Sequence, residues 1–152
     1  MRGPLPVKLE DLPSWRASIL IAIEDPGLRV QVEETLRLDG HTVTAVEDGV
    51  ELLEAVSAPD AAERIQLVVA DVALSGFTGL EVLGMTDGQP GRPPMLMLAD
   101  QVDLAMRRAA RQFGASSILS KPFDVDDLRL VVGALLRPTY RSAVAAQPLR
   151  AA

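Results

Sequence analysis

The segment Leu67-Val68-Val69-Ala70-Asp71, continued by Val72-Ala73-Leu74-Ser75-Gly76-Phe77-Thr78-Gly79, decides how the chain folds. Four apolar residues in a row, two of them β-branched, predict a strand buried on both faces. The run stops in a carboxylate, and Gly76 and Gly79 follow within eight residues. Open α/β sheets bind ligands outside the carboxyl ends of their strands. A buried strand that delivers one acid to a glycine-punctuated loop marks such an edge.

On either side the same grammar repeats. Ser18–Ile23 is a second buried strand ending in acids, Glu24-Asp25; Asp25 then serves as N-cap and Pro26 as first helical residue. Leu28, Val32 and Leu36 give that helix an apolar stripe, closed by Asp39-Gly40. Thr42–Val46 alternates as a half-exposed strand, and a helix with Leu52, Leu53 and Val56 runs to Pro59. A short helix over Leu80–Leu83 precedes a loop rich in Gly and Pro. Met95–Leu98 is a fourth strand, leading to Ala99-Asp100. Met106, Ala109, Ala110 and Phe113 then mark one helix face, capped by Gly114. Ser117–Leu119 is a fifth strand, leading to Ser120-Lys121-Pro122-Phe123, and Leu128, Val131, Val132 and Leu135 mark the last helix. Five strands alternating with five helices predict an α/β, doubly wound parallel sheet over residues 18–136. Residues 1–17, with three prolines, read as an irregular arm with Trp15 packed on the domain; residues 137–152 read as a frayed tail.

Composition narrows the function. The chain has 152 residues and a net charge of −6, which argues against bulk nucleic-acid or anionic-membrane binding. With no cysteine, disulfides and thiolate metal sites are excluded. Apolar runs such as Ile19–Ile23 are far too short to span a bilayer, and no apolar signal region follows Met1. A cytoplasmic protein is expected. Nearly all basic residues are arginine; the two lysines are Lys8 and Lys121, and a compact ammonium persisting at Lys121 suits a point-charge role.

In this fold the residues that end successive strands meet at one rim: Glu24 and Asp25, Asp71, Ala99, and Lys121. At about 5 Å and an effective dielectric near 20, each carboxylate pair repels by roughly 3 kcal/mol. One lysine does not offset three acids, whereas a divalent cation does. Oxygen-only ligation selects a hard ion, and Mg²⁺ held by carboxylates, a carbonyl and waters fits best. A carboxylate beside Mg²⁺ and a lysine is equipped to attack a phosphoryl group, and Asp71, ending the central strand, is the expected nucleophile.

These motifs, Glu24-Asp25, Asp71 with Gly79, and Lys121-Pro122-Phe123, in this order and at these intervals, resemble the receiver domain of two-component response regulators. The resemblance spans Ser18 to Leu136. It implies a flavodoxin-like sheet of order 2-1-3-4-5 and a phosphoacceptor at Asp71, served by Lys121. Mg²⁺ would be bound by Glu24, Asp25, Asp71 and the backbone carbonyl of Ala73, and the Lys121–Pro122 bond would be cis. The implied partners are a histidine kinase or histidine phosphotransfer protein, and a downstream protein docking on the face of the fourth helix, fifth strand and fifth helix. Neither direct nucleic-acid binding nor membrane insertion is implied, and the chain would be a phosphoryl acceptor rather than an enzyme with turnover.

Three departures stand out. The family usually carries Thr or Ser where Ala99 stands, and Ala has no hydroxyl to bond a phosphoryl group. Its usual Tyr or Phe in strand five is Ile118, leaving Ser117 and Ser120 as alternative hydroxyls, and its usual loop proline is Ser75. The leading expectation is a stand-alone receiver with atypical switch residues; the alternative is a phosphate-independent interaction module on the same fold. A Mg²⁺-dependent phosphatase is a third reading, against which Ala73 stands where a second acid would be needed. No dinucleotide or P-loop glycine motif is present. His41, the only histidine, follows Gly40 and reads as an exposed turn residue, and Arg107, Arg108 and Arg111 read as a solvated helix face.

Overall fold

The computed structural model describes residues 16–137. The expectations for Trp15, for most of the N-terminal arm and for the tail after Arg137 lie outside the described residues. Five strands form one parallel sheet in the order β2-β1-β3-β4-β5: β1 (Ser18–Ala22), β2 (Thr42–Val46), β3 (Leu67–Asp71), β4 (Met95–Ala99) and β5 (Ser117–Ser120). The expected class, order and strand positions all hold. β3 and β4 are buried at every residue, as central strands covered on both faces must be. The edge strand β2 instead alternates, with Val43 buried between exposed Thr42 and Thr44.

The helices number six among the described residues rather than the expected five: α1 (Pro26–Leu38), α2 (Gly49–Ser57), α3 (Ala61–Arg64), α4 (Gly79–Met85), α5 (Leu104–Gln112) and α6 (Val125–Leu136). The additional one, α3, is a single turn of four residues closed by the Ile65 N–H on the Ala61 carbonyl at 2.7 Å. An element that short carries no repeating apolar stripe for a sequence reading to detect. The expected fourth and fifth helices are therefore α5 and α6. The longer helices begin on side-chain caps. Asp25 Oδ2 accepts from Leu28 N–H at 3.1 Å, Asp48 Oδ1 from Glu51 N–H at 2.8 Å, and Asp103 Oδ1 from Met106 N–H at 2.8 Å. Each such cap contributes about 1 kcal/mol.

Because β-strand side chains alternate, the sheet divides the apolar interior in two. Ile19, Ile21 and Ile23 face α1 and α6, meeting Val32, Leu36, Leu128 and Val132. Leu20, Ala22, Val68 and Ala70 face the other way, onto Leu52 of α2, Val82 and Leu83 of α4, and Ala110 of α5. On that second side the half-buried Arg92 joins two helix ends. Its guanidinium donates to the Leu83 carbonyl in α4 at 3.0 Å and to the Phe113 and Gly114 carbonyls just past α5, both at 3.1 Å. Among the described residues no helix is long and apolar enough to cross a membrane.

Candidate functional site at the strand ends

Asp71 closes β3 with 4% of its surface exposed. Its Oδ2 accepts from Lys121 Nζ at 2.6 Å, and its Oδ1 from the Ala73 N–H at 2.9 Å. Lys121 follows β5, reaching the rim across the whole of β4; its own N–H is fixed on the Ala99 carbonyl at 2.7 Å, and the Lys121–Pro122 bond is cis. The structure thus brings together two side chains 50 residues apart. Burying one charge is costly unless it is paired, and this ion pair supplies the partner.

The loop after Asp71 lies close on its neighbours, and two glycines make that approach sterically feasible. A Cβ on Gly79 would stand 2.3 Å from the Asp71 carbonyl, and one on Gly49 only 1.7 Å from the Phe77 carbonyl. Both N–H groups are used: Gly79 donates to the Val72 carbonyl at 2.8 Å, and Gly49 to the Ser75 carbonyl at 2.9 Å. A reciprocal cap between Thr78 and Glu81 then starts α4.

Glu24 and Asp25 leave β1 beside Asp71, since Ala22 and Ala70 are in register on the paired strands β1 and β3. Both are exposed, and both are already occupied. Asp25 caps α1. Glu24 turns to the loop after β3: Oε2 accepts from the Ser75 N–H at 2.8 Å, and Oε1 from the Ser75 hydroxyl. Arg29 pins the backbone here, donating to the carbonyls of Ile23 at 3.0 Å and Glu24 at 3.3 Å. Among the described residues no three carboxylates or imidazoles are gathered closely enough to hold a metal ion as they stand. The donors nevertheless fit a hard divalent cation in kind and in strand placement. They are all oxygen and they leave adjacent strands, and the Glu24 carboxylate is bonded to Ser75.

The β4 end is different in character. Ala99 is 2% exposed and offers no side-chain polar atom, and Ile118, in register with Met97, joins the apolar side lined by α2, α4 and α5. A cleft of about 560 Å³ opens beside Asp71 between α4 and α5, floored by Ala99 and walled by Leu80, Met106 and Ala109.

Two features escaped the sequence reading. Asp100, exposed, stands 3.6 Å from Lys121 Nζ and adds a fourth acid to the rim; its signal was its place immediately after Ala99 at a strand end. His41 is half-buried rather than an exposed turn residue, because its Nδ1 accepts from the Ala17 N–H at 3.1 Å, where the chain enters β1. Burial pushes its imidazole below the ordinary value, with Asp39 pulling partly back.

Comparison with known proteins agrees with this geometry. Residues 19–133 match the response regulator receiver domain family. The response regulator PmrA of Pseudomonas aeruginosa is 36% identical over 126 residues, which are 83% of this chain and 55% of that protein. The chain spans about half the length of the curated relatives it matches. The chemotaxis response regulator CheY4 of Vibrio cholerae superposes with a TM-score of 0.69 at 25% identity, over 79% of this chain and 98% of that one. The receiver domain of a Pseudomonas aeruginosa sensor histidine kinase, solved with magnesium coordinated in its active-site cleft, superposes with a TM-score of 0.68 at 22% identity, over 80% and 98% of the two chains. With its acidic strand ends, Lys121 at the rim and its five-stranded parallel sheet, the chain belongs to the response regulator receiver domain family.

Proposed function

We propose that Asp71 accepts a phosphoryl group from the phosphohistidine of a histidine kinase or phosphotransfer protein. An Asp71 oxygen attacks phosphorus, the P–O bond forms as the P–N bond breaks, and the imidazole leaves. Lys121, 2.6 Å from Asp71, is the observation that carries this reading: a fixed ammonium adjoins the carboxylate that receives the phosphoryl group, within reach of the negative charge that group brings on its own oxygens. The Ala73 N–H on Oδ1 orients the same carboxylate. Mg²⁺, held by Glu24, Asp25, Asp71 and the Ala73 carbonyl, would supply charge neutralisation of the transferred group. The magnesium-bearing structural neighbour supports that cation.

In this reading the chain is a phosphoacceptor in the cytoplasm and not an enzyme with turnover, and its output is docking of a downstream protein on the α5/β5/α6 face. One observation favours a second reading, a phosphate-independent interaction module: Ala99 and Ile118 leave the rim without the family's usual hydroxyl and aromatic ring. The two separate cleanly. Incubated with Mg²⁺ and acetyl phosphate, the wild type gains one phosphoryl group by mass spectrometry and Asp71→Asn gains none. A wild type that gains nothing, or a variant that gains as much, rejects the acceptor role.

A further inference from the structure

The family's usual loop proline has no N–H and no hydroxyl; Ser75 has both, and both end on Glu24. Each oxygen of this one carboxylate is therefore taken by the same residue, 51 positions away in the chain. Ser75 is itself held in place, because its carbonyl accepts from the Gly49 N–H at the start of α2 at 2.9 Å. Nor does Glu24 drift, since Arg29 binds its backbone carbonyl at 3.3 Å. The contact thus joins two anchored backbones through one rotatable side chain. With the contact made, no three carboxylates among the described residues are gathered around a common point.

We infer that Ser75 is a positioning residue that competes with the cation for Glu24. The proposal rests on the cation site argued above. With Glu24 turned onto Ser75, no three carboxylates among the described residues are gathered. For Glu24 to ligate Mg²⁺ its side chain therefore has to turn away and weaken those bonds, and hydrogen bonds to a charged acceptor are stronger than neutral ones. The clamp therefore raises the Mg²⁺ concentration at which the site fills. Filling it also releases the loop after β3 from β1 while leaving its tether to α2, so cation loading becomes a change in how that loop is held.

The test is Mg²⁺ binding by the unphosphorylated chain, followed by titration calorimetry with MgCl₂. Ser75→Ala, which removes the hydroxyl bond, tightens Mg²⁺ binding about fivefold. Ser75→Pro, which removes both bonds, tightens it about tenfold, equivalent to about 1.4 kcal/mol. Ser75→Thr keeps both donors and binds as the wild type does, an outcome that a purely structural role for Ser75 does not demand. Equal affinity in wild type, Ser75→Ala and Ser75→Pro overturns the clamp, as does weaker binding in the two variants. Absence of binding in all of them overturns it too, since release was expected to expose a site. The acceptor role is judged separately, by phosphorylation of wild type against Asp71→Asn. Should Ser75→Pro fail to fold by circular dichroism, Ser75→Ala and Ser75→Thr decide the matter.

Discussion

The rim of the sheet has two halves that differ in kind. Where β3 and β5 end, Asp71 and Lys121 meet at 2.6 Å, with backbone donors and acceptors accounted for on both sides of the pair. Where β4 ends between them, Ala99 is nearly buried and chemically silent. In the proposed function the first half receives the phosphoryl charge, on an ion pair that is already formed. The second offers no side-chain donor to pass that charge onward through β4. If Asp71 is the acceptor, acceptance and relay are separable properties of one fold, the first resting on residues that are present and the second on positions that have changed.

The comparison breaks most readily at Lys121. If the ammonium is the fixed charge for the acceptor, Lys121→Ala lowers the rate of phosphoryl transfer from acetyl phosphate about 100-fold, the scale on which removing one preorganised donor acts. A loss under threefold, read by quantitative mass spectrometry over time, would mean that both halves of the rim are equally idle. Lys121→Arg sharpens the point, since a planar fork does not reproduce a point charge on Asp71 Oδ2; it recovers only part of the rate.

A smaller effect is expected on the silent half. Ala99→Thr installs a hydroxyl facing the cleft beside Asp71, and one added hydrogen bond is worth about 1 kcal/mol net, or about a fivefold shift of a two-state equilibrium. Phosphorylation then perturbs the amide NMR signals of β5 and α5 in Ala99→Thr more than in the wild type. Equal perturbation in both proteins would show that the relay does not pass through this position.

Much of this is legible in the sequence. Apolar runs such as Val68-Val69-Ala70 announce buried strands because a parallel sheet covers both faces, and the acids and lysine at their ends follow from parallel topology alone. What escaped was whatever depends on side-chain direction across long sequence separations. Glu24 is expected as a cation ligand from its place at a strand end, but that its carboxylate accepts from Ser75 is a choice no periodicity encodes. Asp100 is named in sequence beside Ala99, but its 3.6 Å approach to Lys121 depends on a side-chain direction that a strand end does not encode. The single turn at Ala61–Arg64 escaped because it has no period, and the acceptor role of His41 because its donor, Ala17, lies 24 residues away.

His41 also provides the smallest and cleanest control. It sits at the start of the strands, at the opposite end of the sheet from the rim, bonded to Ala17. Its folded-state pKa is lowered, so the folded chain binds fewer protons than the unfolded one near the ordinary value of 6.5. The sign follows: this stability is present above about pH 6.5 and is lost as pH falls below it. Urea unfolding at pH 7.5 and 5.5 shows that loss in the wild type and a smaller one in His41→Asn, which keeps an acceptor but does not titrate. Phosphoryl uptake by the two proteins at pH 7.5 is the same, confirming that the two ends of the sheet act independently.

Arg92 has a mechanical consequence for the cleft. By lacing the far ends of α4 and α5 together it leaves those helices hinged like a clothes-peg, with the jaws at the end that carries Asp71. Any force that spreads them therefore does its widest work beside Asp71 and its least where the guanidinium sits.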